Sequence, residues 1–136
     1  MITVHVDGAC RPNPGKGAIG ILFSGDKMNY EVSQHLGDEK TTNNTAEYIA
    51  MYCALTHLIV HKCQNEEIEI YSDSEMMVGQ LTNERGILQK SASYVIMYHK
   101  TKELLKSFPH LSIHWIPREQ NSEANSLASR AIQNGI

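Results

Sequence analysis

A mixed α/β sheet with helices on both faces is the fold class this sequence predicts, and three observations carry the prediction. Strand-like runs come first and in succession, because Ile2, Val4 and Val6 alternate with Thr3, His5 and Asp7 and two further runs follow before Leu36. Helical periodicities then alternate with short strand-like runs through the rest of the chain, the order that builds sheet strands joined by crossover helices. Finally, acidic or amide residues stand where several of these elements begin or end, at Asp7, Glu47, Asp73 and Asn125.

The first strand breaks at Arg11-Pro12-Asn13-Pro14-Gly15, which puts Asp7 at its end. Ala18 to Phe23 reads as a second, largely buried strand, Ser24-Gly25-Asp26-Lys27 as a hairpin turn and Met28 to His35 as a third strand. From Thr45 to about Val60 the apolar residues return at helical spacing, with Asn43 or Asn44 available as the cap and Glu47 in the first turn, near the positive end of the helix. Ile68 and Ile70 mark a fourth strand that stops at Ser72-Asp73-Ser74, where a short helix starts, so Asp73 falls at a strand-to-helix junction. Ala92 to Lys106 is a second long helical pattern, Leu111 to Trp115 a fifth strand, and Asn121 to about Gln133 a closing helix. Right-handed crossovers bring Asp7 and Asp73 to neighbouring strand ends. Periodicity does not place Glu47 and Asn125 beside them.

At 136 residues the chain fits one domain, residues 1–136, able to bury roughly 68% of its unfolded surface. The N-terminal run is too short for a signal sequence and no apolar stretch approaches a membrane span. Cys10, Cys53 and Cys63 are odd in number and lack Cys-x-x-Cys spacing, which argues against disulfides and zinc ribbons and for a reducing, cytoplasmic setting. A net charge of −3 argues against a protein that holds nucleic acid through a large basic surface, but it does not exclude a nucleic-acid substrate, because acidic metal ligands inflate the negative count. Cys53, His57 and His61 are four apart on one helix like a zinc stripe, yet no fourth ligand is evident, so a buried cysteine and two partly exposed histidines are expected. Trp115 and Tyr71 are expected to pack on the sheet, since interleaved basic and aromatic residues are lacking.

Four segments carry the chemistry: Asp7-Gly8-Ala9-Cys10-Arg11-Pro12-Asn13-Pro14-Gly15, Thr42-Asn43-Asn44-Thr45-Ala46-Glu47, Tyr71-Ser72-Asp73-Ser74, and Pro117-Arg118-Glu119-Gln120-Asn121-Ser122-Glu123-Ala124-Asn125. Carboxylates gathered from distant parts of a chain repel one another, so a cluster of them calls for bound cations, and hard oxygen ligands suit magnesium or manganese.

In these motifs, in this order, the chain resembles ribonuclease H of type 1 over nearly its whole length. The resemblance implies a five-stranded mixed sheet and a metal-dependent endonuclease that cuts the RNA strand of an RNA/DNA hybrid, leaving 5'-phosphate and 3'-hydroxyl ends. It implies two ions, Mg2+ or Mn2+, with Asp7 bridging them, Glu47 and Asp73 completing the site of one, and Asn125 helping to hold the other. It also implies that Asn13 and Asn44 reach the minor groove, while the backbone around Asn43 and the Glu47 side chain sense the ribose 2'-hydroxyl. The expected molecule is a cytoplasmic monomer that takes RNA/DNA hybrid, with no membrane and no obligate protein partner.

This sequence departs from the family pattern at several places. Asn125 stands where the family has a final aspartate, so a neutral carbonyl oxygen replaces a charge. Glu75 replaces a base-contacting glutamine and, ionised, has no hydrogen to donate. Arg118 lies where some members have a mobile histidine; it cannot shuttle a proton but can grip a phosphate or help the product leave. Thr82 to Ala92 is too short and too poor in lysine and arginine to be a basic protrusion, and no hybrid-binding domain is expected before Met1. Two rival readings follow: a catalytically silent relative that binds RNA/DNA hybrid or another nucleic acid without cutting, signalled by Asn125, and a nuclease acting on another substrate such as double-stranded RNA, signalled by the Asn13, Asn44 and Glu75 groove contacts.

Overall fold

The chain, described from a computed structural model over residues 1–37, 40–82 and 93–134, forms the expected five-stranded sheet. Its strands are β1 (Ile2–Arg11), β2 (Lys16–Ser24), β3 (Tyr30–His35), β4 (Ile68–Ser72) and β5 (Leu111–Trp115), in the spatial order β3-β2-β1-β4-β5. The β1–β2 and β2–β3 pairs are antiparallel, and β1–β4 and β4–β5 are parallel. The helices are α1 (Asn43–Val60), α2 (Glu75–Leu81), α3 (Val95–Leu105) and α4 (Ser122–Asn134), with a 3-10 turn at Arg118–Gln120. None of the helices described is long and apolar enough to cross a membrane.

Alternation along β1 decides which helix covers which face. Val4, Val6 and Gly8 point one way, and a Cβ on Gly8 would meet the Ala46 carbonyl carbon at 2.2 Å and the Glu47 nitrogen at 2.3 Å. That face therefore carries α1. Gly20, paired with Asp7, points the other way, and a Cβ there would lie 2.3 Å from the Ala124 carbonyl oxygen. That face carries α4, whose buried Ala124, Leu127, Ala128 and Ala131 recur at helical spacing. These close approaches leave no room for a side chain at either glycine, and they bring one helix backbone against β1 next to Asp7 and another against β2 opposite it.

The core lies between the sheet and α1, built on Val4, Val6, Ile19, Ile21, Phe23, Met51, Leu55 and Leu58. The α3 helix packs on the outer side of α1. There the Tyr48 ring stacks on Tyr94 at 5.5 Å, and Gln80 of α2 accepts from the Tyr48 hydroxyl at 2.5 Å while donating to that of Tyr94 at 3.1 Å. A buried amide so placed has both ends satisfied and locks three helices together.

Several boundaries differ from the sequence reading. Asp7 is not at the end of β1, because the strand continues to Arg11 by pairing with β2. What ends before Asp7 is the ladder to β4, whose last pair is Val6 with Ser72. A two-sided strand can lose one neighbour and keep the other, a distinction that periodicity does not carry. The cap of α1 is Thr42, not Asn43 or Asn44: its hydroxyl accepts from the Thr45 N–H at 3.2 Å, which frees both asparagines. Starting the helix at Asn43 moves Glu47 out of the first turn into the second. β3 begins at Tyr30, not Met28, and α3 begins at Val95. The expectation about Thr82 to Ala92 falls, beyond Thr82, on residues 83–92, outside the described residues.

Candidate metal and nucleic-acid site

Asp7, Glu47 and Asp73 each offer a carboxylate oxygen within 4.8 Å of the others, and they form the only such acidic, histidine or cysteine cluster among the described residues. Each arrives by a separate device. Asp7 projects to the α4 face just past the end of the β1–β4 ladder. Glu47 comes from α1, and its Oε1 accepts from the Gly8 N–H at 2.7 Å, a bond that the missing Cβ of Gly8 makes possible. Asp73 follows the last residue of β4. Ser72 Oγ takes the Ser74 N–H at 3.0 Å, Ser74 caps α2, and the Trp115 indole donates to the Asp73 carbonyl at 3.3 Å. Trp115, expected to pack on the sheet, is thus 46% exposed and supports the acidic turn.

Asn125 lies in the first turns of α4. Its Nδ2 donates to the Arg118 carbonyl at 3.2 Å, while its buried Oδ1 has no partner. Asn121, which the sequence reading does not single out, holds this helix end in place: its Nδ2 donates to the Val6 carbonyl at 2.9 Å, one residue before Asp7. Only its position within a motif signals it, since a lone buried asparagine has no periodic signature.

Crowding sets the protonation. Burial, then the neighbouring Asp73 carboxylate, pushes the Asp7 carboxyl up from 3.8 to about 7, against the pull of Arg118, the Gly8 N–H and Arg11. Burial first and Asp7 second hold Glu47 well above the usual carboxylate range. Groups in that condition are short of positive charge. The Asp73 Oδ2 and Asn125 Oδ1 atoms are both buried and unpartnered. Hard oxygen donors, two of them orphaned, fit a divalent cation such as magnesium or manganese.

A cleft of about 330 Å³ opens over the carboxylates, lined also by Cys10, Arg11, Asn43 and Arg118. Asn13 reaches its edge, accepting from the Asn43 N–H at 3.1 Å, and the Gly15–Thr41 bridge ties the same loop to the start of α1. Asn44 is exposed beside them. Beyond the asparagines, the Thr45 and Ser93 hydroxyls lie 2.9 Å apart, as do those of Thr42 and Thr45. The sequence does not disclose this hydroxyl cluster, because the adjacency of Ser93 and α1 is tertiary.

The histidine stripe holds no metal cluster among the described residues. His57 Nδ1 instead bonds the Tyr30 hydroxyl at 2.6 Å, His61 is exposed and Cys53 is half-buried, not buried. No disulfide involves Cys10, Cys53 or Cys63. Tyr71 stacks between His5 and His114, as sheet packing requires.

The sequence profile of the reverse transcriptase-like family matches residues 5–131. The ribonuclease H of Polynucleobacter asymbioticus is 31% identical over 99% of this chain and 89% of its own length. The chain belongs to the ribonuclease H family. Ribonuclease HI of Halobacterium salinarum is 33% identical over 96% of this chain, which spans 64% of that protein. LC11-RNase H1, in a crystal structure with RNA/DNA hybrid, superposes with a TM-score of 0.84 at 32% identity, covering 98% of this chain and 97% of that one. These relatives are hydrolases, and the acidic cluster found here suits metal-dependent catalysis.

Proposed function

We propose that this chain is an endonuclease that hydrolyses the RNA strand of RNA/DNA hybrids with Mg2+ or Mn2+, leaving 5'-phosphate and 3'-hydroxyl ends. The observation that carries the proposal is the convergence of the Asp7, Glu47 and Asp73 carboxylates within 4.8 Å of one another. Asp7, Glu47, Asp73 and Asn125 would hold the metal. Bound there, a pair of divalent ions supplies an activated water and stabilises the charge on the leaving 3'-oxygen.

The protein's own residues position the substrate. Asn13 and Asn43, already joined by a hydrogen bond, present one edge to the minor groove together with Asn44. Glu47 lies deep enough in the cleft to sense a 2'-hydroxyl, the group that marks RNA. Arg118, on the cleft wall, is placed to grip a phosphate near the cut. The Thr42, Thr45 and Ser93 hydroxyls, at the N-terminal end of α1, suit a second phosphate on the DNA strand. LC11-RNase H1, of the same fold, takes the same substrate class in its crystal structure. Gel assays with hybrid, double-stranded RNA and double-stranded DNA, each in Mg2+ and in Mn2+, test the proposal. Cutting confined to the RNA of the hybrid is expected, and cutting of double-stranded RNA in preference would overturn it.

A further inference from the structure

We propose that Arg11 and Lys16 form a phosphate grip for the RNA strand, outside the carboxylate cluster, an inference that rests on the hybrid-cleaving function proposed above. Asp7, Ala9 and Arg11 alternate onto one face of β1, and at 3.2 to 3.4 Å per residue the Arg11 Cα lies roughly 13 Å beyond that of Asp7. The hairpin register sets Lys16 directly opposite Arg11, so both side chains rise from the same face of the sheet. Two cations in that relation repel. Both residues are exposed, and among the described residues neither has an acidic partner within salt-bridge distance. A chain of net charge −3 that sets one cation in the wall of its acidic cleft and a second directly opposite it on the next strand is arranged for an anion supplied from outside.

Arg11 is already held for that task. It lines the same cleft as Asp7, Glu47, Asp73 and Arg118, and its Nη2 donates to Ser129 Oγ of α4 at 3.0 Å. The bond to Ser129 takes one of the five guanidinium N–H donors and fixes the plane of the group, leaving the rest for phosphate oxygens. Its charge is also near enough to favour the ionised form of Asp7, so it belongs to the field of the site. With the scissile phosphate over the carboxylates, a strand running along β1 brings a phosphate a few nucleotides away between Arg11 and Lys16. That phosphate removes the repulsion between them, which gives the grip affinity without touching a base.

The test measures hybrid binding in Ca2+ across a KCl series, and initial cleavage rates in Mg2+, for the wild type, Arg11→Ala/Lys16→Ala and Arg11→Lys. Each phosphate that is no longer neutralised should reduce the log–log salt slope by roughly 0.7 to 0.9. The double variant is expected to show at least one such step and to raise KM severalfold, with most of the change in KM and not kcat, while Arg11→Lys keeps the slope. The melting temperature of the double variant is expected to stay within a few degrees of the wild type, because removal of the like-charge pair offsets loss of the exposed Arg11–Ser129 bond. An unchanged slope and KM in the double variant would overturn the grip and leave the hybrid-cleaving function standing. A wild type that neither binds nor cuts hybrid would overturn both.

Discussion

Replacing Asp7 by asparagine should make the metal-free protein more stable at neutral pH while destroying its cluster. The carboxyl of Asp7 is raised from 3.8 to about 7 in the folded protein, chiefly by burial and then by Asp73. A group raised on folding contributes stability that is complete below its unfolded pKa and is lost as pH climbs through the folded one. The window therefore runs from about pH 4 to about pH 7. At about 1.4 kcal/mol per pKa unit, a shift of about three units corresponds to roughly 4 kcal/mol, an upper bound because Glu47 and Asp73 share the same repulsion. For a domain of this size that is a melting-temperature difference on the order of 10 °C. Thermal melts in EDTA between pH 4 and pH 9 measure it. The wild type should lose stability across that window relative to Asp7→Asn, the two should converge at pH 4, and Mg2+ should restore the wild type at pH 8. Parallel curves for the two proteins would refute the electrostatic account of the cluster.

Two further substitutions test the placement of the remaining groups. Asn125→Asp should lower the metal concentration needed for cleavage and reduce stability in EDTA but raise it in Mg2+, since the orphaned Oδ1 would become a charged ligand; metal titrations paired with melts check both. Gly8→Ala should cost roughly 1 to 3 kcal/mol or more in a urea melt, because its Cβ would fall 2.2 to 2.3 Å from the Ala46 and Glu47 backbones. It should also cut kcat even where the fold survives, because pushing α1 away draws Glu47 off the Gly8 N–H.

The readability of this molecule from its sequence follows the range of each interaction. Strand alternation and helical spacing are local, so the five strands and the main helices are legible, as is the strand-to-helix turn that carries Asp73. Asp7 is misplaced relative to its strand because β1 loses one partner at Val6 and keeps the other, and pairing on two sides leaves a single alternation in the sequence. Thr42 does not stand out as a cap because two asparagines beside it have comparable propensity, and tertiary context chooses between them. The approach of Glu47 to Asp7 is not readable from spacing at all, since it depends on the space left by Gly8 between strand and helix. The motifs point to it through resemblance. The Arg11–Lys16 opposition is hidden for the same reason as the Ser93 hydroxyl: both require a register or a packing that no single segment encodes.

The most direct test of the central claim is single-turnover cleavage of a hybrid with end-labelled RNA, by the wild type and by Asp73→Asn, in Mg2+ and in EDTA. The account predicts cutting of the RNA strand by the wild type in Mg2+ alone, with 5'-phosphate ends. Loss of one carboxylate from the cluster should remove several kcal/mol of transition-state stabilisation, a drop on the order of a thousandfold or more. Cleavage in EDTA, or undiminished cleavage by Asp73→Asn, would contradict it.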